Sequence, residues 1–314
     1  MNRRELLQRS AAFGVAAAVP FSAENTRATA GSSAAPEVPV PSIPEASRLR
    51  PPEHGPIPVA FLISEGAVVI DFCGPWEVFE NVNVAGREEA PFRLYTVAET
   101  RNPVTASGGL TILPNYTFDT APAPKVIVIP AQHGAGEAAL GWIRRASVGT
   151  DLTMSVCTGA FVLAKTGLLH GKAATTHHNS YTSFAMQFPD IQLQRGARFV
   201  EAGNLASAGG LSSGIDLSLR VVERYFGRDV ATQTAYYMEY QGKGWLDPAS
   251  NEIYRSRRVS TPEHPLCAVC EMDVDPASAP KSVYRGQTYY FCMTEHKTVF
   301  DASPEKFVAT LFKA

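Results

Sequence analysis

Runs of apolar residues separated by helix-spaced segments dominate the chain from residue 57 to about residue 245. Val59 to Ser64 is a near-continuous apolar run, and Arg93 to Ala98 and Lys125 to Pro130 are strand-like in the same way. Val78 to Val84 is a further apolar segment after a helix-like stretch, while Ser213 to Phe226 has helical spacing. Unbroken apolar strands alternating with helices predict a parallel sheet covered by helices on both faces. The sharpest junction is at Ser155-Val156-Cys157-Thr158-Gly159-Ala160, where a short strand (Leu152 to Val156) meets a helix (Ala160 to Leu169) at once. A side chain on such a turn is pushed out at the carboxyl end of the sheet, where ligands of open α/β folds bind.

The patterning changes at both ends. Paired arginines (Arg3-Arg4), an apolar run from Ala11 to Phe21 and Ala28-Thr29-Ala30 together read as a twin-arginine signal peptide over 1–30, which predicts a periplasmic or secreted protein. Residues 31–56 are rich in proline, serine and alanine and read as a linker. The large domain then spans 57–245, a second linker 246–262, and a small module 263–314. No segment is long and apolar enough to predict a membrane span. A formal charge of -2 and 45% hydrophobic content suit a globular protein and exclude a nucleic-acid binder. Five cysteines are an odd number, so in an oxidising compartment at least one stays unpaired or holds a metal.

Cys157 carries the first candidate chemistry. The free N–H groups of the helix turn beside it favour negative charge. A thiol at its free pKa of about 8.5 is roughly 3% ionised at pH 7, whereas one lowered to about 6 is roughly 90% thiolate. The expectation is therefore a reactive thiolate, and the competing reading is an ordinary buried cysteine.

Four stretches occur in order: Ile70-Asp71-Phe72-Cys73-Gly74-Pro75-Trp76-Glu77; the cysteine elbow continuing as Phe161 to Leu169; Ala174-Thr175-Thr176-His177-His178; and Ser207-Ala208-Gly209-Gly210 before Gly214-Ile215-Asp216. Together they resemble the ThiJ/PfpI superfamily (class I glutamine amidotransferase-like), in the branch that includes isonitrile hydratase and the sensory domains of some AraC-type regulators. That resemblance implies a flavodoxin-like α/β fold, a nucleophile at Cys157, a carboxylate at Asp71 and a homodimer. A thiolate can add to an electrophilic carbon while a carboxylate moves the proton. Asp71 reads equally as a helix N-cap before Gly74-Pro75. Thr158 is a candidate oxyanion donor, and His177 a candidate catalytic partner. His178 stands where relatives carry tryptophan, and Pro130-Ala131-Gln132-His133 stands where they carry a Gly-Gly pair. Any positive φ at Ala131 or Gln132 would therefore be costly. Cys73 reads either as a buried small residue or as a resolving thiol.

The C-terminal stretch carries His264-Pro265-Leu266-Cys267-Ala268-Val269-Cys270 and then Tyr284-Arg285-Gly286-Gln287-Thr288-Tyr289-Tyr290-Phe291-Cys292, with His296 following. It resembles a YHS domain. About 50 residues build little hydrophobic core, so such modules need metals or disulfides. Cys267, Cys270, Cys292 and His296 form a C-x-x-C pair and a C-x-x-x-H pair, a ligand set suited to zinc or cuprous copper and unsuited to magnesium or calcium. A Cys267–Cys270 or Cys270–Cys292 disulfide is the alternative. Two functions follow. One is an exported cysteine-dependent hydratase or hydrolase acting on a small-molecule electrophile, with an attached metal-binding module; the other is a periplasmic binding or sensing protein for a metal or reactive species. A peptidase, the third reading, rests on the superfamily name.

Overall fold

The structure is a computed structural model and describes residues 48–311 except 134, 257 and 262. The signal peptide expected over 1–30 and most of the expected first linker lie outside the described residues. The large domain is built on seven strands: β1 (Ile57–Leu62), β2 (Phe92–Ala98), β3 (Tyr116–Thr117), β4 (Val126–Ile129), β5 (Leu152–Val156), β6 (Phe199–Ala202) and β7 (Leu205–Ala208). They lie in the order β6-β7-β5-β4-β1-β2-β3, parallel throughout except for the antiparallel β6–β7 edge pair. Side chains alternate faces along a strand. Ile57, Val59 and Phe61 of β1 and Val126 and Val128 of β4 enter one apolar core, and Ala60, Leu62, Ile127 and Ile129 enter the other. That is why the strand runs are apolar without interruption.

Helices cover both faces. The first core packs against α1 (Val69–Glu80), α5 (Ser213–Phe226) and α6 (Arg228–Tyr237). The second packs against α2 (Glu137–Ala146), α3 (Gly159–Lys165) and α4 (Tyr181–Gln187). The apolar segment that starts at Val78 is helical rather than extended at its start, because Val78 and Phe79 lie on the buried side of α1. The helix after the cysteine is shorter than its apolar pattern suggests: it ends at Lys165, before Gly167 at φ 81°.

Residues 248–254 pack on the domain. The Pro248 carbonyl accepts the Arg198 N–H (2.6 Å), the buried Asn251 side chain accepts from the Arg198 guanidinium (3.2 Å), and Tyr254 stacks on His178 with ring centroids 4.5 Å apart. The C-terminal module contains a two-stranded hairpin, β8 (Lys281–Tyr284) and β9 (Gln287–Tyr290), followed by α7 (Thr294–Ala302) and α8 (Pro304–Leu311). Its small core consists of Cys267, Ala268, Val269, Cys270, Tyr289, Phe291 and Phe300.

Candidate functional site

Cys157 is the first residue after β5, and its φ of 57° is left-handed. For a residue with a β-carbon this conformation costs roughly 1–2 kcal/mol, and such strain concentrates at functional positions. Three contacts hold it. Its N–H donates to the carbonyls of Ala208 (3.2 Å) and Gly209 (2.9 Å), and its own carbonyl accepts the Thr176 hydroxyl (3.0 Å). Gly159 completes the turn: a β-carbon there would lie 2.1 Å from the Ile129 carbonyl oxygen and 2.8 Å from that of Pro130. Only glycine lets the start of α3 approach the end of β4 so closely.

The Cys157 thiol is almost completely covered, with 6% of the residue exposed. The Thr158 N–H and hydroxyl and the Leu211 N–H stabilise its ionised form. Burial and the neighbouring Asp71 carboxylate outweigh these donors and push the thiol up to about 12. The pre-formed thiolate expected from the helix turn is therefore not what the tertiary structure sets up, because desolvation and a like charge oppose the helix-end field.

Asp71 lies in the first turn of α1, with no part of it exposed. It does not act as the helix N-cap; Val68 occupies that position, and Asp71 Oδ2 accepts the N–H of Ala131 instead (3.1 Å). The Val68 N–H donates to the Ala131 carbonyl (2.8 Å), so Ala131 is joined to the start of α1 through both its backbone groups. Pro75 removes the amide that would otherwise bond the Asp71 carbonyl within the helix. Burial raises the Asp71 carboxyl to about 7, while the Ala131 N–H and the Cys157 thiol act in the opposite sense. Oδ1 is buried and has no hydrogen-bond partner among the described residues. A buried carboxyl near neutrality beside a protonated thiol can exchange a proton with it.

Ala131 and Gln132, at the place of the expected Gly-Gly pair, adopt no left-handed backbone. Ala131 serves Asp71, and Gln132 Oε1 accepts from the Ser64 N–H (2.7 Å) and hydroxyl (2.8 Å). His133 packs over Gly66. His177 lies against Gly210, next to Leu211, where a β-carbon would come within 2.8 Å of its Cδ2. Its Nδ1 accepts the Asn179 N–H (3.2 Å), and its ring lies tilted against that of His178 with centroids 4.4 Å apart. Burial first, then the charges of His178 and Arg258, hold His177 down to about 4; burial and Arg258 also lower His178. Among the described residues no hydrogen bond joins His177 to Cys157. Cys73 is half-buried on α1, and its thiol is pushed up by burial and by Glu77.

The four C-terminal ligand candidates converge. The donor atoms of Cys267, Cys270, Cys292 and His296 all lie within 4.8 Å of one another. Cys267 Sγ and Cys292 Sγ lie 3.5 and 3.3 Å from His296 Nδ1, and Cys270 Sγ lies 3.5 Å from Cys292 Sγ. Tetrahedral bonds of about 2.3 Å to sulfur and about 2.0–2.1 Å to nitrogen would put sulfurs about 3.8 Å apart and sulfur about 3.5 Å from nitrogen. The cluster has the size of a metal site, and all five cysteines are free. A hydrogen bond from the Cys270 thiol lowers Cys267 to about 4, and Cys270 is raised in return. What spacing alone missed is how the module docks: Glu271, directly after Cys270, accepts the Thr182 hydroxyl of α4 (2.6 Å).

Residues 268–310 match the YHS domain, and residues 58–224 match the DJ-1/PfpI family. Isonitrile hydratase of Pseudomonas putida is 32% identical over 206 residues, covering 64% of this chain and 86% of that protein. The HTH-type transcriptional regulator GbdR of Pseudomonas aeruginosa is 24% identical over 204 residues, 61% of this chain; the chain spans only 53% of that regulator. Among solved structures, a ThiJ/PfpI family protein from Pseudomonas syringae superimposes with a TM-score of 0.54 at 26% identity, covering 66% of this chain and 84% of the other. The motif order, the strained cysteine after β5 and these matches agree: the chain belongs to the DJ-1/PfpI family and carries a C-terminal YHS domain.

Proposed function

We propose that the large domain is a cysteine-dependent hydratase of the isonitrile hydratase type, acting on a small, uncharged electrophile. The observation that carries this reading is the pairing of a strained, buried Cys157 thiol with an Asp71 carboxyl poised near pH 7. In its ionised form Asp71 accepts the thiol proton as Sγ attacks the terminal isonitrile carbon. It returns that proton to the same carbon, giving a thioimidate. Water adds across the C=N bond, the carbon–sulfur bond breaks, and an N-substituted formamide leaves with the thiol restored. The Thr158 and Leu211 N–H groups stabilise charge on sulfur as it forms and departs. His177, unprotonated at neutral pH, walls the site beside Leu211. A thiol that ionises only as its proton moves to Asp71 suits a buried site, because no standing charge is held in low dielectric.

The Cys267, Cys270, Cys292 and His296 set would hold zinc or cuprous copper and supply the YHS domain with a structural centre. Export by the twin-arginine route, proposed on Arg3-Arg4 and the apolar run after them, would let that centre be loaded before the folded chain leaves the cytoplasm. The second reading, a non-catalytic metal- or stress-sensing protein, draws support from the low exposure of Cys157 and from the regulator relatives. Turnover of a small alkyl isonitrile to its formamide, measured for wild type, Cys157→Ala and Asp71→Asn, separates the two. Product from wild type alone supports the hydratase. No product from any of the three, with tight zinc binding, supports the sensor.

A further inference from the structure

The knuckle that carries two of the four cluster ligands is the part of the module that meets the large domain. Glu271 follows Cys270 with φ 63°, a conformation usually left to glycine or asparagine, and its N–H donates to the Cys267 carbonyl (2.9 Å). Its side chain is buried and turned outward from the module. Oε1 accepts the Thr182 hydroxyl (2.6 Å), Oε2 lies 3.9 Å from the Arg195 guanidinium, and Arg195 also donates to the Thr182 hydroxyl oxygen (3.0 Å). The Glu271 carbonyl accepts from Arg258 (3.2 Å), which grips Asp273 with two further hydrogen bonds (3.0 and 2.6 Å).

Thr182 stands one residue into α4, immediately after the turn that holds His177 and His178. His178 lies between His177 and Tyr254, and His177 presses on Gly210. On one side of His177, Thr176 holds the Cys157 carbonyl; on the other side of Gly210, the Leu211 N–H faces Cys157 Sγ. A continuous chain of contacts, half-buried at Thr182, His177, His178 and Gly210, thus runs from the cluster to the thiol.

We propose that Glu271 is a positioning residue through which a thiophilic metal at Cys267, Cys270, Cys292 and His296 holds the wall of the Cys157 site. The inference rests on reading the cluster as a metal centre and Cys157 as the reactive thiol. A metal bound to both Cys267 and Cys270 locks the knuckle and hence the left-handed Glu271. Without it, the knuckle is held by weaker hydrogen bonds, the carboxylate is free to leave Thr182, and α4 with its histidine turn loosens over Cys157.

The test uses the full chain, reduced and loaded with zinc, and the same chain after chelation. Iodoacetamide labelling at early times, read by peptide mapping, isolates Cys157 from the other four thiols. Chelation is expected to speed Cys157 labelling at least fivefold. Zinc-loaded Glu271→Ala is expected to match the chelated protein, while Glu271→Gln, which still accepts from Thr182, stays near wild type. Equal labelling in every form overturns the proposal, as does acceleration on chelation that zinc-loaded Glu271→Ala does not reproduce. Should Glu271→Ala fail to hold zinc, Thr182→Val removes the same hydrogen bond from the other side, and unchanged labelling there overturns it equally. Isonitrile turnover plays no part in the readout, so failure of the hydratase reading would be seen separately.

Discussion

Replacing Asp71 by asparagine should make the protein more stable above pH 7 while removing the proposed base from the site. The carboxyl is fully buried, Oδ2 has one amide donor, and burial lifts it from 3.8 to about 7. At about 1.4 kcal/mol per pH unit, ionising it at pH 8 costs the fold about 4 kcal/mol. The sign follows from the direction. A carboxyl whose folded pKa is raised favours the folded state while it is protonated, below about 4, and that advantage is lost as the pH climbs to about 7. Asparagine keeps an acceptor for the Ala131 N–H and carries no charge. Its NH2 has no ready acceptor beside the thiol, which offsets the gain by about 1–3 kcal/mol. The expected net stabilisation above pH 7 is about 2 kcal/mol, or about 4–8 °C in melting temperature for a domain of this size. The difference should shrink as the pH falls and reverse near pH 4, where the carboxyl is protonated and the unpaired NH2 leaves the variant about 1–3 kcal/mol less stable than wild type. Thermal unfolding of both proteins from pH 4.5 to 8.5 reads this directly. The Cys157 thiol, relieved of the Asp71 charge, should also ionise at lower pH in the variant, as followed by alkylation against pH. A variant that melts below wild type at pH 8, or at the same offset at every pH, would falsify the account of Asp71 as a buried, unfavourable charge kept for chemistry.

Other expectations follow from neighbouring features. If Asp71 is the base, wild-type turnover should fall as the pH drops below about 7, and a flat profile from pH 5 to 8 excludes it from that role. Gly159→Ala drives a β-carbon into the Ile129 and Pro130 carbonyls, so it should cost about 3 kcal/mol or prevent folding; a melting temperature within 2 °C of wild type would contradict the close approach at the elbow. Arg198→Ala leaves the fully buried Asp216, which Arg198 pairs at 2.5 Å, with the Tyr240 hydroxyl (3.0 Å) but without that cation, and should cost about 3–5 kcal/mol in denaturant unfolding. Elemental analysis should find one zinc or copper per chain, with five free thiols after metal removal under non-reducing conditions; a disulfide between any two of Cys267, Cys270 and Cys292 would refute the metal centre.

Much was legible from residue order because it depends on local pattern. Apolar runs in β1, β4 and β5 announce strands buried on both faces, and the abrupt strand-to-helix change marks Cys157 as a residue pushed to the sheet's carboxyl edge. The C-x-x-C and C-x-x-x-H spacings nominate four ligands before any fold is known, and the hairpin then brings them within 4.8 Å. The ionisation of the site was not legible. Helix-end amides argue for a thiolate, but whether they prevail depends on how completely water is excluded and on which charge comes alongside; residue 71 is far in sequence and arrives through β4 and α1. Nor could spacing distinguish an Asp71 that caps its helix from one that reaches Ala131. The docking of Glu271 on Thr182, 89 residues away, joins two regions whose sequence patterns are independent. Sequence by itself determined which side chains the protein has for chemistry and which short turns present them, since turn geometry and apolar periodicity are set by near neighbours. Tertiary structure alone decided their protonation and their mutual contact, since burial and charge proximity are properties of packed distances rather than of order along the chain.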